Sequence, residues 1–158
     1  MRNQHPLVQY EVLSKDSFII ALSSDQPLRE KEVSLPGYPH PVLDLKLLKD
    51  ESFLMLDSTQ RIRHITDAIL SKAKITPNVS LTMKNYVTLQ SLAGLGIGIT
   101  LLPNDYADLP VIEKPPVFLS IPEEYEASWN LCIATLKDGY LSKAEQLFLS
   151  LIRRYFQH

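Results

Sequence analysis

The chain has 158 residues with 16 basic and 18 acidic side chains, which give a formal net charge of −2. This length predicts one domain or one domain with two lobes, and 45% of apolar residues is enough to build a core. The near-neutral charge argues against a chain that wraps nucleic acid by bulk charge. A single cysteine, Cys132, excludes an internal disulfide and a multi-cysteine metal site. No apolar run reaches the roughly 20 residues of a membrane helix, and the first ten residues carry no secretory signal, so we expect no membrane contact and a cytoplasmic location.

In chain order, the first predicted element is a buried strand at 18–22, a short apolar run of β-forming residues. A loop at 34–41 follows, because three prolines in eight residues exclude a helix and a central strand. Residues 53–56 predict a second buried strand, and the polar cluster 57–59 after it is typical of a helix N-cap. The helix that follows should end before Pro77, and its predicted apolar face consists of Ile62, Ile65, Ala68, Ile69 and Ala73.

The second half alternates in the same way. Residues 79–83 predict a strand, and the helix from Tyr86 to about Ala93 should be closed by Gly94 or Gly96. Three further strands are predicted at 97–102, 117–121 and 129–135, with a proline-containing loop at 104–116 between the first and the second.

The last predicted helix has the clearest pattern. Residues 142–145 form a capping box, in which the Ser142 and Glu145 side chains each bond to the other residue's backbone N–H. Apolar side chains behind it recur at helical spacing and should be buried: Ala144, Leu147, Phe148, Leu151, Ile152 and Tyr155.

Alternating strands and helices predict an α/β fold with a largely parallel sheet, whose ligands bind beyond the carboxyl ends of the strands. Two loops occupy such positions, at 57–60 and 82–85. Both combine free backbone N–H groups and hydroxyls with a nearby cation, either Arg61 or Lys84. This chemistry suits an anion or a carboxylate.

Several motifs have simpler interpretations. The glycines at 94, 96 and 98 do not form a dinucleotide fingerprint, because Ile99 stands at the third glycine position and the loop leads into a strand. No catalytic constellation, metal-ligand set or cofactor motif is present. His64 is expected to be a solvated helix residue and Cys132 a buried, inert thiol.

The role of Ser58 and Thr59 stays open at this point. Each could cap the following helix without any ligand, or contribute a hydroxyl to a binding site. Arg61 and Arg63 could likewise form an anion clamp, although a solvated helix face is the simpler interpretation of Arg63.

The middle of the chain carries a recognisable pattern. Residues 82–86 read T-M-K-N-Y, and the sequence then continues to G-L-G-I-G-I-T-L-L-P at 94–103. This resembles the effector-binding domain of LysR-type bacterial transcription regulators, in which a polar loop and a helix lead into a "G-x-G-I-x-x-L-P" turn and strand. Gly96, Gly98, Ile99, Leu102 and Pro103 fill the defined positions of that pattern.

Other stretches agree in type and order, so that the resemblance runs from about Val8 to Tyr155. Residues 10–28 look like the family's "E-x-L … D-H-P-L" passage, with Gln26 in place of the usual His. Residues 53–59 with the following helix look like the next unit, and 140–148 resemble the closing helix. The family's winged helix-turn-helix is not among these stretches, and neither is the first βαβ portion of the effector domain.

The resemblance implies a type 2 periplasmic-binding-protein-like fold with two α/β lobes and a small ligand between them, with lobe II complete and lobe I partial. Residues 1–22 would be a remnant of lobe I with a crossover strand, 23–128 would be lobe II, and 129–158 would be the return strand and last helix of lobe I. The apolar stripe of the last helix would then lack part of its cover, which predicts a homo-oligomer.

The function implied is the sensing of a small metabolite, without catalysis and without a cofactor. DNA would be contacted only through a domain absent from this chain. The helix N-termini favour a carboxylate as the ligand. The expected contact residues are Ser58, Thr59, Thr82, Met83 and Lys84, with Ser23 and Ser24 as further candidates. A solute-binding protein of a transport system and a small α/β enzyme remain as alternatives.

Overall fold

A computed structural model describes residues 5–110 and 114–156 of the chain. Contacts between backbone positions divide it into two compact units. Unit 1 comprises residues 1–16 and 129–158, and unit 2 comprises residues 17–128. The assignment of lobes to 1–22, 23–128 and 129–158 stays a prediction.

Six strands and three α-helices form the described chain. The strands are β1 (Val8–Leu22), β2 (Ser52–Leu56), β3 (Asn78–Met83), β4 (Thr100–Pro103), β5 (Val117–Ser120) and β6 (Ser128–Leu136). The helices are α1 (Arg61–Lys72), α2 (Tyr86–Gly94) and α3 (Lys143–Tyr155), and short 3₁₀ turns occupy several connections. The predicted order of strands and helices is confirmed, with small shifts at the ends of every element except β1. Residues 111–113 of the predicted loop lie outside the described residues.

The sheet pairing corrects the expectation of a largely parallel sheet. β2 and β3 pair in parallel, whereas β1 pairs antiparallel with both β4 and β5. β1 also pairs with β6, and it is 15 residues long where the sequence predicted five. The Val8–Asp16 part of this strand belongs to unit 1 and mixes apolar with polar residues. A continuous apolar run therefore marks only the buried end, residues 18–22.

The core of unit 2 is built on the predicted apolar runs. Residues 18–22 of β1 and 53–56 of β2 are all buried, as are Leu101 and Leu102 of β4. β4 continues from a parallel bridge between Ile99 and Phe53, in which Leu54 N donates to Ile99 O at 2.8 Å. β4 therefore runs in the same direction as β2 there, and the two strands end at the same edge.

The helices α1 and α2 pack on this core. In α1 the buried side chains are Ile62, Thr66, Ile69 and Leu70, while the predicted core residue Ala68 is exposed and Ile65 is half-buried. The buried face is therefore rotated slightly from the predicted one. After α2, Gly96 adopts φ +80°, which confirms a glycine turn at the helix end. A Cβ on Gly94 would lie 1.9 Å from Lys114 O, so this glycine allows a close approach of two backbones.

Unit 1 is different, because its apolar side chains stay exposed. The capping box of α3 is confirmed, with Ser142 N donating to Glu145 Oε2 at 2.7 Å. However, α3 has no buried residue. Of its predicted core stripe, Ile152 is half-buried and the other members are exposed.

Candidate functional site

The carboxyl ends of β2 and β3 meet at one edge of unit 2. Leu56 and Met83 are paired in the parallel register at this point. Beyond the pair, Asp57 N donates to Met83 O at 2.9 Å, and the Gln60 side-chain amide donates to Lys84 O at 3.1 Å. These bonds join the two predicted loops into one surface, which we call the β2–β3 edge, comprising residues 57–60 and 82–85.

The 57–60 loop leaves one hydroxyl uncommitted. Thr59 donates both its N–H (3.0 Å) and its hydroxyl (2.6 Å) to the Asp57 carboxylate. The hydroxyl of Ser58 is exposed and has no hydrogen-bond partner among the described residues. Neither residue caps α1, because the N-cap is Gln60, whose side chain makes no capping bond. The first-turn N–H groups of α1 therefore have no side-chain cap and can donate hydrogen bonds to a ligand.

Charges of both signs surround this loop. Hydrogen bonds from Thr59 hold the pKa of Asp57 below its usual range, and the positive charges of Lys84 and Arg63 act in the same direction. Lys84 is exposed, while Arg63 is largely covered. Arg63 donates to Leu56 O at 2.9 Å and pairs with Asp67 at 2.9 Å. The simpler interpretation of Arg63 as a solvated residue is wrong, because its side chain is largely covered and donates to the last carbonyl of β2.

The 82–85 loop contributes the other half of the edge. Thr82 is exposed and Met83 is half-buried at the end of β3. Asn85 caps α2, because its side chain accepts from Thr88 N at 3.2 Å. Thr82, Met83 and Lys84 thus lie beside Ser58 and Thr59, as the sequence predicted for loops that follow neighbouring parallel strands.

Ser23 and Ser24 lie at the opposite end of the sheet. They follow β1. Two residues after Ser24, the Gln26 side chain donates to the Glu51 carboxylate at 2.8 Å, which places this segment near the start of β2. Glu51 precedes β2, whereas Ser58 follows it. Ser23 is buried and accepts from Asp25 N at 3.3 Å, and Ser24 donates to the Asp25 carboxylate at 3.2 Å. The structure therefore does not bring these two serines to the β2–β3 edge, because β1 and β2 run in opposite directions.

A buried polar pair on α2 escaped the sequence analysis. Tyr86 and Gln90 are one helical turn apart, and both the Tyr86 hydroxyl and Gln90 Oε1 are buried without a hydrogen-bond partner among the described residues. Gln90 donates its amide to Tyr106 O at 2.5 Å, and the rings of Tyr86 and Tyr106 lie 4.7 Å apart. Burial raises the pKa of Tyr86 above its ordinary value. The sequence carries no clear signal for this pair, because Thr88 and Ser91 are polar as well and Gln90 does not stand out between them.

A second polar contact lies just beyond β4, which ends at the same edge as β2. The ring of His40 bonds to Asn104 Oδ1 at 2.9 Å, and His40 N donates to Ser120 Oγ at 3.3 Å. The sequence does not single out His40, because its partners are 64 and 80 positions away in the chain. Such contacts have no local signal.

The described residues offer little for redox or metal chemistry. No group of three or more His, Cys, Asp or Glu side chains among them could hold a metal ion. His64 is exposed, as predicted, and Cys132 is half-buried instead of buried. In the described part of the chain, no helix combines the length and apolar character needed to pass through a bilayer. The β2–β3 edge can bind a small polar molecule by hydrogen bonds and charge.

Such an edge, on an α/β sheet with helices that begin at the strand ends, is typical of a ligand-binding domain. The fold is the type 2 periplasmic-binding-protein-like fold. The family described as "LysR substrate binding domain" matches residues 1–157. The chain therefore belongs to this family, which provides the effector-sensing domains of LysR-type transcription regulators.

Comparison with known proteins agrees at the level of fold. The chain is similar to the Synechocystis PCC6803 CcmR regulatory domain in complex with 2-PG, with a TM-score of 0.80 and 17% identity over 99% of this chain and 71% of that chain. It is also similar to the effector-binding domain of QuiR in complex with shikimate (TM-score 0.75, 20% identity, 99% and 68%). The BenM effector-binding domain with its effector benzoate gives a TM-score of 0.74 at 18% identity, over 99% and 67%.

One curated relative is much longer than this chain. The uncharacterized HTH-type transcriptional regulator YcgK of Bacillus subtilis strain 168 is 24% identical over 126 residues. The matched region is 80% of this chain and 38% of that protein. The chain thus spans about two fifths of the length of the curated relative that it matches.

Proposed function

We propose that the β2–β3 edge binds a small carboxylate effector, and that the chain acts as the sensing part of a LysR-type regulator in the cytoplasm. The observation that carries the proposal is the convergence at one edge of the uncommitted Ser58 hydroxyl, the uncapped first turn of α1 and the exposed cation Lys84. An anion at a helix N-terminus is stabilised by free N–H groups and by the helix dipole.

The ligand class is supported by the neighbours in structure. Shikimate and benzoate, named with two of them, are both carboxylates. In the chain itself, Ser58 would donate its hydroxyl proton and Lys84 would supply charge. Thr82 could also donate its hydroxyl proton to the carboxylate. Thr59, whose hydroxyl already donates to Asp57, would accept from a hydroxyl group of the ligand, and Met83 would contribute apolar surface.

Sensing requires no chemical step in this chain. The effector would shift a conformational equilibrium by binding one arrangement of the regulator more tightly than another. Contact with DNA would belong to other parts of a longer regulator, and catalysis is not part of the proposal. We further propose that the chain self-associates, because the exposed apolar side chains of unit 1 favour a partner.

Thermal unfolding with a panel of small carboxylates, including benzoate and shikimate, would test the site. A ligand at about 100 times its Kd adds roughly 2.7 kcal/mol of stability. Ser58→Ala and Lys84→Ala should each weaken binding, by about tenfold for the loss of one charge-assisted hydrogen bond. The Kd from calorimetry, for the ligand that gives the largest shift, measures this loss.

Matched controls lie at the other end of β2. Ser24→Ala makes the same chemical change as Ser58→Ala, and Lys49→Ala the same change as Lys84→Ala, far from the β2–β3 edge. Both controls should leave the Kd unchanged. The proposal fails if the Ser58 and Lys84 variants bind as tightly as the parent chain, or if Ser24→Ala weakens binding as much as Ser58→Ala.

A further inference from the structure

The first two turns of α2 contain two polar side-chain atoms that are enclosed by protein. The hydroxyl of Tyr86 and the side-chain oxygen Oε1 of Gln90 are both buried, and neither has a hydrogen-bond partner among the described residues. Gln90 as a whole is 0% exposed. Buried polar atoms are nearly always hydrogen-bonded, because an unpaired atom has lost its bonds to solvent without a replacement. Both atoms therefore require a partner from outside α2.

Both side chains contact the same residue, Tyr106, in the 3₁₀ turn Asn104–Tyr106 that follows β4. The rings of Tyr86 and Tyr106 lie 4.7 Å apart, and the Gln90 amide donates to Tyr106 O at 2.5 Å. Tyr86 and Gln90 are four positions apart in α2, which places them one turn from each other on the same helix face. The two unpaired atoms therefore belong to one site between α2 and this turn.

The contact with Tyr106 fixes the orientation of the Gln90 amide. The carbonyl of Tyr106 can only accept, so the Gln90 atom that faces it has to be the nitrogen. The opposite orientation would bring two acceptors together. Gln90 Oε1 is therefore an acceptor that needs a donor. Burial raises the pKa of Tyr86 above its ordinary value, so that its hydroxyl keeps its proton and can both donate and accept.

We propose that a single water molecule binds between Tyr86 and Gln90. The water accepts from the Tyr86 hydroxyl and donates to Gln90 Oε1, which provides both atoms with a partner. Its second proton is available to the remaining lone pair of Tyr106 O. Three hydrogen bonds of this kind are typical of an internal water. The small size of water suits the site, because both atoms have almost no exposed surface through which a larger molecule could reach them.

The position of this water gives it a structural role beside the candidate site. Tyr86 is the first residue of α2 and directly follows the 82–85 loop of the β2–β3 edge. The turn that contains Tyr106 follows β4, which ends at the same edge as β2. The water thus joins the start of α2 to the end of β4, and it helps to hold the helix start next to Lys84. Its binding does not depend on any ligand at the edge.

Tyr86→Phe tests whether the hydroxyl has a partner, because this change keeps the ring and removes only the hydroxyl. With the water bound, the variant loses one hydrogen bond, and the folding equilibrium constant should fall by about fivefold. Removal of an unpaired hydroxyl would instead raise this constant. Tyr106→Phe is the matched control and should have the smaller effect, since it removes the hydroxyl of the other ring and keeps the Tyr106 carbonyl. Denaturant unfolding measures the constants.

Gln90→Met tests whether the two residues act through the same water. Methionine is similar in length but has no acceptor for the water, so Tyr86→Phe should no longer lower the folding constant in this background. A high-resolution crystal structure of the parent chain should show one water within hydrogen-bond distance of the Tyr86 hydroxyl and Gln90 Oε1. The proposal is overturned by a folding constant that rises in Tyr86→Phe, by a site without density, or by a direct bond between Tyr86 and Gln90. Another side chain or a larger molecule in this position overturns it as well.

Discussion

Adjacent residues at the β2–β3 edge have different chemical roles. The Thr59 hydroxyl donates a hydrogen bond to Asp57, so that towards a ligand Thr59 can act only as an acceptor. The Ser58 hydroxyl has no partner among the described residues and can still donate. The carboxylate of Asp57 is ionised through most of the pH range, because Thr59 and the nearby cations lower its pKa. A negative charge therefore sits beside the proposed anion site, and the affinity depends on the balance between Asp57 and Lys84.

This balance predicts that Asp57→Asn tightens the binding of a carboxylate effector. The amide oxygen can still accept from Thr59, while the charge that repels the ligand disappears. We expect a Kd lower by a few-fold, and a larger effect at low salt because screening is weaker there. Calorimetric titration at two ionic strengths measures both. Weaker binding by the Asp57→Asn variant would mean that the carboxylate itself contacts the ligand.

At the scale of elements, a side-chain hydrogen bond joins two short 3₁₀ turns, Leu45–Leu48 and Glu123–Tyr125. Asp44 caps the turn Leu45–Leu48 by accepting from Lys46 N at 3.0 Å. The same carboxylate accepts from the Tyr125 hydroxyl, 2.6 Å away in the turn Glu123–Tyr125. The hydrogen bond from Tyr125 is the main reason that the pKa of Asp44 lies below its usual range. Burial, followed by the Asp44 bond, raises the pKa of Tyr125.

The bond between Asp44 and Tyr125 makes stability depend on pH. A carboxyl whose pKa is lower in the folded state than in the unfolded state stabilises the fold above its unfolded pKa. That contribution is lost as the pH falls through the folded pKa. Tyr125→Phe should therefore lower the free energy of unfolding by about 1 kcal/mol near pH 6, and by less near pH 2. Denaturant unfolding at both pH values measures the difference.

Tyr38→Phe is the control for this pH dependence. The Tyr38 hydroxyl accepts from Glu123 N at 3.1 Å, a bond without a carboxylate partner. Its loss should lower the free energy of unfolding equally at the two pH values. An equal effect of Tyr125→Phe at both pH values would show that the Asp44 bond does not depend on ionisation.

At the scale of the whole molecule, the apolar core is distributed unevenly. Among the described residues, the buried apolar side chains lie in unit 2 with the exception of Ile133 in β6. Within unit 1, surface contacts such as the ion pair of Arg153 and Glu11 join the two segments of the chain. Exposed ion pairs contribute little, so that unit 1 by itself has little to oppose local opening.

We therefore expect backbone amides of α3 and β6 to exchange with solvent faster than those of β1 residues 18–22, β2 and β4. Hydrogen exchange of the dilute chain measures this difference. Equal protection of α3 and β2 in the dilute chain would contradict the uneven core.

The sequence alone determined the positions of several elements and of part of the candidate site, because local chemistry specifies them. Apolar runs placed β2 and the buried end of β1, the capping box placed the start of α3, and two strand-end loops placed Ser58 and Lys84 at one edge. These signals are local, because a cap, a turn or a buried strand is specified by a few consecutive side chains.

Only the tertiary structure decided the contacts between distant segments. The antiparallel pairing of β1 placed Ser23 and Ser24 away from the β2–β3 edge, and it brought His40 to Asn104 across 64 positions. The rotation of α1 buried Thr66 in place of Ala68, and folding left the stripe of α3 exposed although its periodicity predicts burial. Periodicity shows which face of a helix is apolar, but burial depends on whether another surface is present to cover that face.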